Sequence, residues 1–369
     1  MNVLVCGRFA GVPHQGGTTW ALLQYVLGLR RLGHDVLVVE PLSTTPDARV
    51  ADCFRRVVEE FSLHDRASLL VDGGAGGMGS SHAEVLAFAR RADVLLNASG
   101  VLKDERIVAP IPTRLYLDLD PAFTQLWHAF DGVDMGLNGH THFVTVGLGI
   151  GRESTVPTCG RRWITSLPPV VLDRWPVARQ PEHNAFTTVA NWRAYGSVHH
   201  DGVLYGQKAH SLRALIDLPD HTAETLLLAL DIHPDERSDV QALAEHGWRR
   251  ADPRAAAGTP RRYRAFVRGS KAELGIAKSG YVVSRSAWFS DRSACYLASG
   301  RPVVAQDTGF SDHLPTGRGL FAFDDADGAI AAIDAINRDY EGNARAARII
   351  AEEHFDSDRV LTRLLDQIR

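Results

Sequence analysis

The chain opens with a strand, a helix and a second strand in close succession. Residues 2–6 form a short apolar run, and residues 35–40 form another. Between them, apolar residues recur at intervals of three and four over residues 18–32, which predicts a helix that Gly33 ends. Uninterrupted apolar strands are typical of parallel sheets that are buried on both faces, and a parallel strand–helix–strand unit is nearly always right-handed. The N-terminal part is therefore predicted to begin a parallel sheet.

The same alternation continues along the chain and predicts an α/β fold with doubly wound parallel sheets. In the first half, strands are predicted at 68–71, 93–97, 114–117 and 143–146, helices at 50–61 and 82–92, and a glycine-rich turn at 73–79. In the second half, strands are predicted at 186–190, 225–230, 263–266, 281–284 and 302–305, and helices at 208–216, 240–245, 271–277 and 291–298. The tail at 327–369 is predicted to be helical, with breaks at Gly342 and near Phe355.

Prolines concentrate at residues 168–182, where they disfavour both helix and sheet. This stretch is predicted to link two Rossmann-like domains, at residues 1–175 and 183–345, and a terminal segment follows at 346–369. Ligands of such sheets bind beyond the carboxyl ends of the strands. The cleft between the two domains is therefore the expected site.

Composition excludes several classes of protein. The 369 residues include 40 Lys and Arg against 44 Asp and Glu, and the net charge of −4 argues against a surface dedicated to nucleic acid. No apolar run approaches the roughly 18 residues of a membrane span, and the start MNVLVCG lacks the features of a signal peptide, so a cytoplasmic protein is expected. The 4 cysteines are scattered without a CxxC pair, which favours reduced thiols over zinc ligands or disulfides.

Two helix N-termini are candidates for phosphate binding. Gly16 and Gly17 open the first helix after the first strand, where free N–H groups and the helix dipole favour an anion. A tight turn explains the same pair equally well, because the glycines do not form the GxGxxG dinucleotide motif.

The second N-terminus begins the helix predicted at 291–298. Ser290 is a good N-cap, and Arg292 and Ser293 lie in the first turn, where backbone donors favour a diphosphate. Asp291 could accept hydrogen bonds from ribose hydroxyls, or it could merely favour the dipole of its own helix.

These elements, in this order, resemble the GT-B-fold glycosyltransferases of the group 1/family 4 kind, which use nucleotide sugars. Gly16–Gly17 and the GHDV sequence at 33–36 resemble the opening of that family. The segment at 300–304, GRPVV, matches its G-x-P-V-V element. The tail at 346–368 resembles its last helix, which returns to the first domain. The resemblance implies two Rossmann-like domains that face each other across a cleft.

The resemblance also implies donor-binding residues. Arg193 and Lys208 resemble the Arg and Lys that contact the diphosphate in the retaining branch. Phe266 would lie at a strand end beside the nucleobase. The QDTG loop would face the donor sugar, although it could also be a polar turn; its residues are Gln306, Asp307, Thr308 and Gly309. Retaining members usually carry two glutamates eight residues apart, but the equivalent positions hold Ala287 and Cys295, so retention or inversion of the sugar stays open.

The first domain is expected to supply the base. Asp118 and Asp120 follow the predicted strand at 114–117, and residues two apart on an extended segment face the same side. Either could orient or deprotonate an acceptor hydroxyl, unless Asp120 only caps the following helix. His14 in the first loop is a further candidate base, as in inverting relatives. His142 is another; with His140 it forms an HxH motif, for which no third metal ligand is evident.

A basic stretch at residues 254–271 interleaves six Arg and Lys with two aromatic residues. Such a stretch could bind RNA, form a solvated face, or place some arginines near a phosphate.

Taken together, the sequence predicts a glycosyltransferase that moves a hexose or pentose from a UDP-sugar or another nucleotide-diphosphate sugar. The acceptor would carry a hydroxyl or amine, with no metal, no other cofactor, no nucleic acid and no membrane span. The alternatives are a GT-B-fold sugar-nucleotide epimerase and a non-catalytic protein that binds nucleotides or nucleic acid.

Overall fold

A computed structural model describes residues 1–71 and 76–368 of the chain. Within these residues, the first half forms a sheet of eight strands in the order β4-β3-β2-β1-β5-β6-β7-β8. The strands are β1 (Asn2–Cys6), β2 (Asp35–Leu42), β3 (Ala67–Val71), β4 (Met78–Gly79), β5 (Val94–Ala98), β6 (Thr113–Asp118), β7 (His142–Thr145) and β8 (Trp163–Thr165). The helices are α1 (Gly16–Arg31), α2 (Ala48–Glu60), α3 (His82–Ala89), α4 (Glu105–Val108) and α5 (Phe123–Ala129). Neighbouring strands are parallel except β3 and β4, which are antiparallel.

The second half forms a separate, wholly parallel sheet in the order β13-β12-β9-β14-β15-β16. Its strands are β9 (His183–Asn191), β12 (Thr225–Asp231), β13 (Arg249–Ala251), β14 (Ser270–Gly275), β15 (Val303–Gln306) and β16 (Leu320–Phe323), and a hairpin joins β10 (Val198–His200) to β11 (Val203–Tyr205). The helices are α6 (Lys208–Ala214), α7 (Arg237–Glu245), α8 (Pro253–Ala257), α9 (Pro260–Gly269), α10 (Ser279–Val283), α11 (Asp291–Ala298), α12 (Ala326–Arg338), α13 (Tyr340–Ile350) and α14 (Ser357–Asp366). Short 3-10 turns lie at Leu172–Arg174, Leu218–His221 and Phe310–Asp312, and a π-helical turn lies at Ala351–Phe355.

The C-terminal helix packs against the first helix of the chain. A Cβ atom at Gly28 of α1 would lie only 2.5 Å from Leu361 Cδ1 of α14, so the two helices are in close contact. Arg31 at the end of α1 donates a hydrogen bond of 3.0 Å to Asp358. The end of the chain therefore packs on the first helix, as the resemblance to GT-B glycosyltransferases implies.

The predicted linker at 168–182 carries the chain from the first sheet to the second, but part of it is packed in the interior. Val171 and Trp175 are buried, and the Trp175 ring lies 5.0 Å from the ring of Trp20 on α1. The N–H of Val170 donates to the Phe355 carbonyl at 2.7 Å. Residues 170–175 are thus held by contacts with the rest of the protein and do not form a free linker between the sheets.

The predictions for residues 263–284 are wrong. The strand predicted at 263–266 belongs to α9, the helix predicted at 271–277 is β14, and the strand predicted at 281–284 belongs to α10. The start of α9 has ordinary helix signals, because the Thr259 hydroxyl caps it and Pro260 is its first residue.

Strand β14 was missed because a charged residue, Glu273, interrupts its buried apolar sequence. Ala272 and Leu274 face one apolar cluster, while Glu273 is fully buried between them on the opposite face. A charged residue in a buried strand removes the apolar run that indicates a parallel strand.

The tail differs from its prediction at one break. The helix is interrupted at Asp339, whose carboxylate accepts a hydrogen bond of 3.0 Å from the Gly342 N–H, so Gly342 lies in the first turn of α13. The break near Phe355 is confirmed by the π-helical turn before α14. Residues 72–75 of the predicted glycine-rich turn, and Arg369, lie outside the described residues, and Met78–Gly79 form β4.

Candidate active site

A cavity of about 630 Å³ lies at the carboxyl ends of the strands in both sheets, and we call it the cleft. From the first sheet it is lined by the loop after β1, the first turn of α1 and the residues after β6. From the second sheet it is lined by the ends of β9 and β12, by α6 and by the start of α11. Of the residues predicted from the sequence, it brings together His14, Gly17, Asp120, Lys208, Ser290, Asp291 and Arg292.

Lys208 is the buried cation of the cleft. Its side chain is held inside, only 7% of the residue is exposed, and its ammonium donates to the carbonyl oxygen of Ile276. Burial, together with the smaller effect of the nearby Arg292 guanidinium, lowers the pKa of Lys208 to about 7, while the Glu273 carboxylate opposes the change. An anion bound in the cleft would favour the protonated amine.

Arg292 lines the cleft at the start of α11, and hydrogen bonds to two other residues hold its guanidinium group in place. Its Nε donates to Glu273 Oε1 at 2.5 Å, and its Nη1 donates to the Val189 carbonyl at 2.9 Å. Among the described residues, the second carboxylate oxygen of the fully buried Glu273 has no hydrogen-bond partner. Glu273 thus orients Arg292 and balances its charge.

The N-termini of two helices face the cleft. The Ser290 hydroxyl caps α11 by accepting a hydrogen bond of 3.2 Å from the Arg292 N–H. Burial raises the pKa of the Asp291 carboxyl beside it. At the start of α1, Gln15 provides no side-chain cap, so the first amides of that helix stay available beside Gly17. Both termini add partial positive charge to the cleft.

Asp120 connects the two sheets. Its carboxylate accepts hydrogen bonds from the hydroxyls of Tyr195 and Tyr281 and from the Lys278 ammonium, which lies 3.1 Å from Oδ1. Burial lowers the pKa of Lys278, and the Asp120 carboxylate opposes that change. Helix α5 has no side-chain cap and its N-cap is Ala122, so the alternative that Asp120 caps this helix is wrong.

Asp118 does not share the cleft with Asp120. It is fully buried and accepts hydrogen bonds from Thr124 Oγ1 at 2.7 Å, Gln125 Nε2 at 2.8 Å and Thr145 Oγ1 at 2.8 Å. Burial raises the pKa of its carboxyl. The two aspartates face different directions because Asp118 is the last residue of β6, whereas Asp120 lies in the turn beyond the strand.

The two histidine candidates lie at opposite ends of the strands of the first sheet: His14 is at the carboxyl ends, and His142 is at the amino ends. His14 is exposed, has a φ of +71° and lines the cleft. The carboxylate of Glu40 holds the preceding loop by accepting hydrogen bonds of 2.8–2.9 Å from three successive N–H groups, at residues 9–11. His142 is the first residue of β7, at the amino end of the strand, and is therefore separated from Asp120 by the length of that strand.

The HxH motif provides no metal site in the described part of the chain, where no group of three or more His, Cys, Asp or Glu residues could hold an ion. The His140 Nε2 lies 3.0 Å from the Asn97 amide, and its ring meets the edge of Tyr116 at 5.3 Å. Burial lowers the pKa of His140, which favours a neutral structural side chain.

Gly16 serves close packing between the two sheets. A Cβ atom there would lie 2.3 Å from the Thr259 carbonyl oxygen, so only glycine permits this approach of α1 to the segment before α9. Arg193 points away from the cleft lining, where its Nε lies 2.5 Å from Glu236 Oε1. These two predicted donor residues lie near the cleft without lining it.

The remaining predicted donor residues do not line the cleft either. In the loop at 306–309, the Gln306 side chain accepts from the Ala277 N–H at 3.2 Å and the Thr308 hydroxyl donates to the Trp288 carbonyl at 2.6 Å. Asp307 accepts from the N–H of Gly309 at 2.9 Å, and Gly309 has a φ of +94°. Ser293 is buried inside α11, and Phe266 is buried on α9 with its ring 5.9 Å from the ring of His183.

Sequence reasoning missed the partners of Asp120 from the second half of the chain. Lys278, Tyr281 and Tyr195 all lie in segments that were assigned to the wrong element or to a loop. The one available signal was Lys278 itself, a lysine that follows the apolar residues Ile276 and Ala277 directly.

No family model and no curated protein match the chain. Solved structures do match along the whole length. HepE from Anabaena in complex with UDP and glucose is 14% identical, with a TM-score of 0.60 over 100% of this chain and 99% of that one. An alpha-glucosyltransferase in complex with UDP is 10% identical, with a TM-score of 0.63 over 100% and 99%. A sucrose-phosphate synthase from Thermosynechococcus elongatus is 11% identical, with a TM-score of 0.55 over 99% and 98%.

The chain has the GT-B fold. The predicted α/β fold class is thereby confirmed, and so is the resemblance to GT-B glycosyltransferases, because these structures are members of that class. At 10–14% identity the match establishes the fold and leaves the chemistry to be argued from the site. In the described residues, no helix has both the length and the apolar character that a membrane crossing requires.

Proposed function

We propose that the protein is a glycosyltransferase that transfers a sugar, most simply a hexose, from a nucleotide-diphosphate donor to a hydroxyl or amine. The observation that carries the proposal is the buried Lys208 beside Arg292 at a cleft between two Rossmann-like sheets. A buried amine without a carboxylate partner is stabilised in its charged form by an anion. HepE and the alpha-glucosyltransferase were solved with UDP, which supports a UDP-sugar as the donor.

The donor diphosphate would contact Lys208, Arg292 and the first amides of α11. Such preorganised donors stabilise the charge that develops on the departing nucleotide diphosphate. On the opposite side of the cleft, Asp120 and His14 are the two groups that could take the proton of an acceptor hydroxyl. The division into residues 1–175 for the acceptor, 183–345 for the nucleotide and 346–369 as a returning segment belongs to the same proposal. So do a cytoplasmic location and a reaction without metal or other cofactor.

The alternatives of an epimerase and of a non-catalytic nucleotide or nucleic-acid binder gain no support from the solved structures. A glycosyltransferase releases free nucleotide diphosphate in step with acceptor consumption, whereas an epimerase returns its nucleotide sugar intact. Product analysis therefore separates the two activities.

The test is donor binding and turnover in Lys208→Ala. We expect this variant to lose roughly 2–4 kcal/mol of transition-state stabilisation, the scale for removal of one preorganised donor. Lys271→Ala is the matched control, because Lys271 lies near the amino end of β14 and forms an ion pair of 2.8 Å with Glu224, outside the cleft. Binding is measured by calorimetry with UDP and UDP-glucose, and turnover by release of UDP. Wild-type turnover in Lys208→Ala would remove Lys208 from the site and leave the proposal without its main support.

A further inference from the structure

The basic segment at residues 254–271 contributes to a second cavity that is larger than the cleft. This cavity has a volume of about 1140 Å³, and we call it the side groove. It meets the cleft at the loop 13–15, so the exposed His14 borders both spaces. Its two long walls are α2 from the first sheet and α9 from the second.

Both walls of the side groove carry arginines. On α2, Arg49 and Arg56 lie on the face turned to the groove, since residues separated by seven positions share one helix face. On α9, three arginines line the groove: Arg261, Arg262 and Arg264. Between the walls, the surface is apolar where Val12, Pro13, Val57, Pro260 and Ala265 line it.

The charges in the side groove do not cancel. Its lining has five arginines and three carboxylates, and Asp52, one of those carboxylates, is already bonded to Arg55 outside the groove. In the described part of the chain, the guanidinium groups of Arg49, Arg56 and Arg261 form no ion pair and no side-chain hydrogen bond. The groove therefore combines arginines that have no bonded acidic partner with an apolar surface between its two walls.

We infer that the side groove binds the acceptor, and that the acceptor is a small amphipathic anion with a phosphate or carboxylate group. The role of the ligand as the acceptor rests on the proposed function. The chemical class of the ligand rests on the residues of the groove alone. Guanidinium groups bind both kinds of anion through paired hydrogen bonds. An anion held between Arg56 and Arg261 would bridge α2 and α9 and leave the rest of the molecule to extend past His14 toward the cleft.

The same groove is poorly suited to a nucleic-acid backbone. A polyanion needs an extended row of cations, whereas Asp52, Glu59 and Glu60 interrupt the α2 wall. These carboxylates repel a polyanion, and the net charge of the whole chain, −4, adds to that repulsion. A compact ligand with one anionic group can contact the arginines without meeting all three carboxylates.

The probe for the test is 1-naphthyl phosphate, with 1-naphthol as its neutral counterpart. Binding is measured by calorimetry on the full-length protein saturated with UDP, so that the cleft is filled. We expect the phosphate to bind and naphthol to bind far more weakly. Arg56→Ala and Arg261→Ala should each weaken binding of the phosphate about 10-fold, as expected for loss of a charge-assisted hydrogen bond. Arg237→Ala, on the exposed face of α7, is the control and should bind as wild type does.

A gain-of-affinity variant guards against effects of misfolding. Glu60 faces the groove and interacts electrostatically with Arg261 and Arg264. Glu60→Gln removes that competing carboxylate, and we expect it to tighten binding of the phosphate about 3-fold, within the range for a partly exposed charge pair.

Four results would overturn the inference: no binding of 1-naphthyl phosphate, equal binding of naphthol, competition between the phosphate and UDP, and wild-type affinity in both arginine variants. Tight binding of a short oligonucleotide that falls steeply with salt, and that both arginine variants weaken, would replace the small anion by nucleic acid. If UDP fails to bind while the phosphate still depends on Arg56 and Arg261, the anion site stands and the proposed function fails.

Discussion

Donor affinity should depend on pH through Lys208. Burial lowers the pKa of this amine to about 7, and a bound diphosphate favours its protonated form, so the pKa in the complex must be higher. Affinity is therefore fully present below pH 7 and is lost as the pH rises through the pKa of the free protein. With a pKa of about 7, roughly one tenth of the amine is charged at pH 8, so affinity should fall about tenfold between pH 6 and 8, or about 1.4 kcal/mol.

The assay is calorimetric titration with UDP-glucose between pH 6 and 8. UDP-glucose is preferred to UDP because its diphosphate is esterified at both ends, whereas a terminal phosphate itself titrates near pH 6. Titration in buffers of different ionisation enthalpy counts the protons taken up, and uptake should approach one proton per donor as the pH rises to 8. Lys208→Arg carries a permanent charge and should give a flat profile, even if its affinity is lower.

A second titratable side chain, His14, lines the cleft and could also contribute to the pH dependence of donor affinity. Histidine side chains in general titrate in this range, so His14→Gln has to retain the wild-type profile. A flat wild-type profile, or a profile in Lys208→Arg as steep as in the wild type, would refute the assignment of the titrating cation to Lys208.

Three further outcomes are expected. Asp120→Asn should keep UDP binding and lose transfer by about 10²–10⁴-fold if Asp120 is the base, measured as UDP release with and without acceptor; full transfer activity would move the role to His14. Gly16→Ala should lower stability by about 1–3 kcal/mol in denaturant melts, because its Cβ would meet the Thr259 carbonyl at 2.3 Å, whereas Gly196→Ala, with no atom within 4 Å, should have little effect. Transfer should continue at an unchanged rate in excess chelator; loss of activity that a divalent ion restores would contradict this and would return attention to the HxH motif at residues 140–142.

Local signals were sufficient to predict α11 with its observed bounds. Ser290 caps the helix, apolar residues follow at helical spacing, and Gly300 follows its end with a φ of +68°. Each of these signals lies within a dozen residues of the others, so no tertiary contact is needed to interpret them. The same holds for β1, where an apolar run ends at a glycine.

The region from α9 to α10 could not be assigned in the same way. Glu273 sits in the middle of a buried strand because Arg292, nineteen residues further on, balances its charge at 2.5 Å. Without that partner in view, the charge at Glu273 suggests an exposed helix face. Prediction of the strand therefore required knowledge of the tertiary contact that the strand itself creates.

The environment of Asp120 was inaccessible for a related reason. The turn after β6 indicates that Asp120 lies at the carboxyl edge of the sheet, which is where the structure places it. Its donors Tyr195, Lys278 and Tyr281 come from two distant segments of the second half of the chain, the loop after β9 and the start of α10. Sequence spacing carries no information on how two sheets face each other, so the position could be predicted and the partners could not.

The balance of charges explains why Lys208 is the cation that titrates, and it gives a last prediction. Arg292 is paired with Glu273 and Lys278 with Asp120, whereas the ammonium of Lys208 donates only to a neutral carbonyl. Glu273 nevertheless raises the pKa of Lys208 from a distance, against the stronger effect of burial. Glu273→Gln should therefore move the midpoint of the affinity profile below pH 7, while circular dichroism confirms that the fold is kept. A midpoint unchanged from the wild type would show that Glu273 does not raise the pKa of Lys208, and this explanation of the charges in the cleft would be wrong.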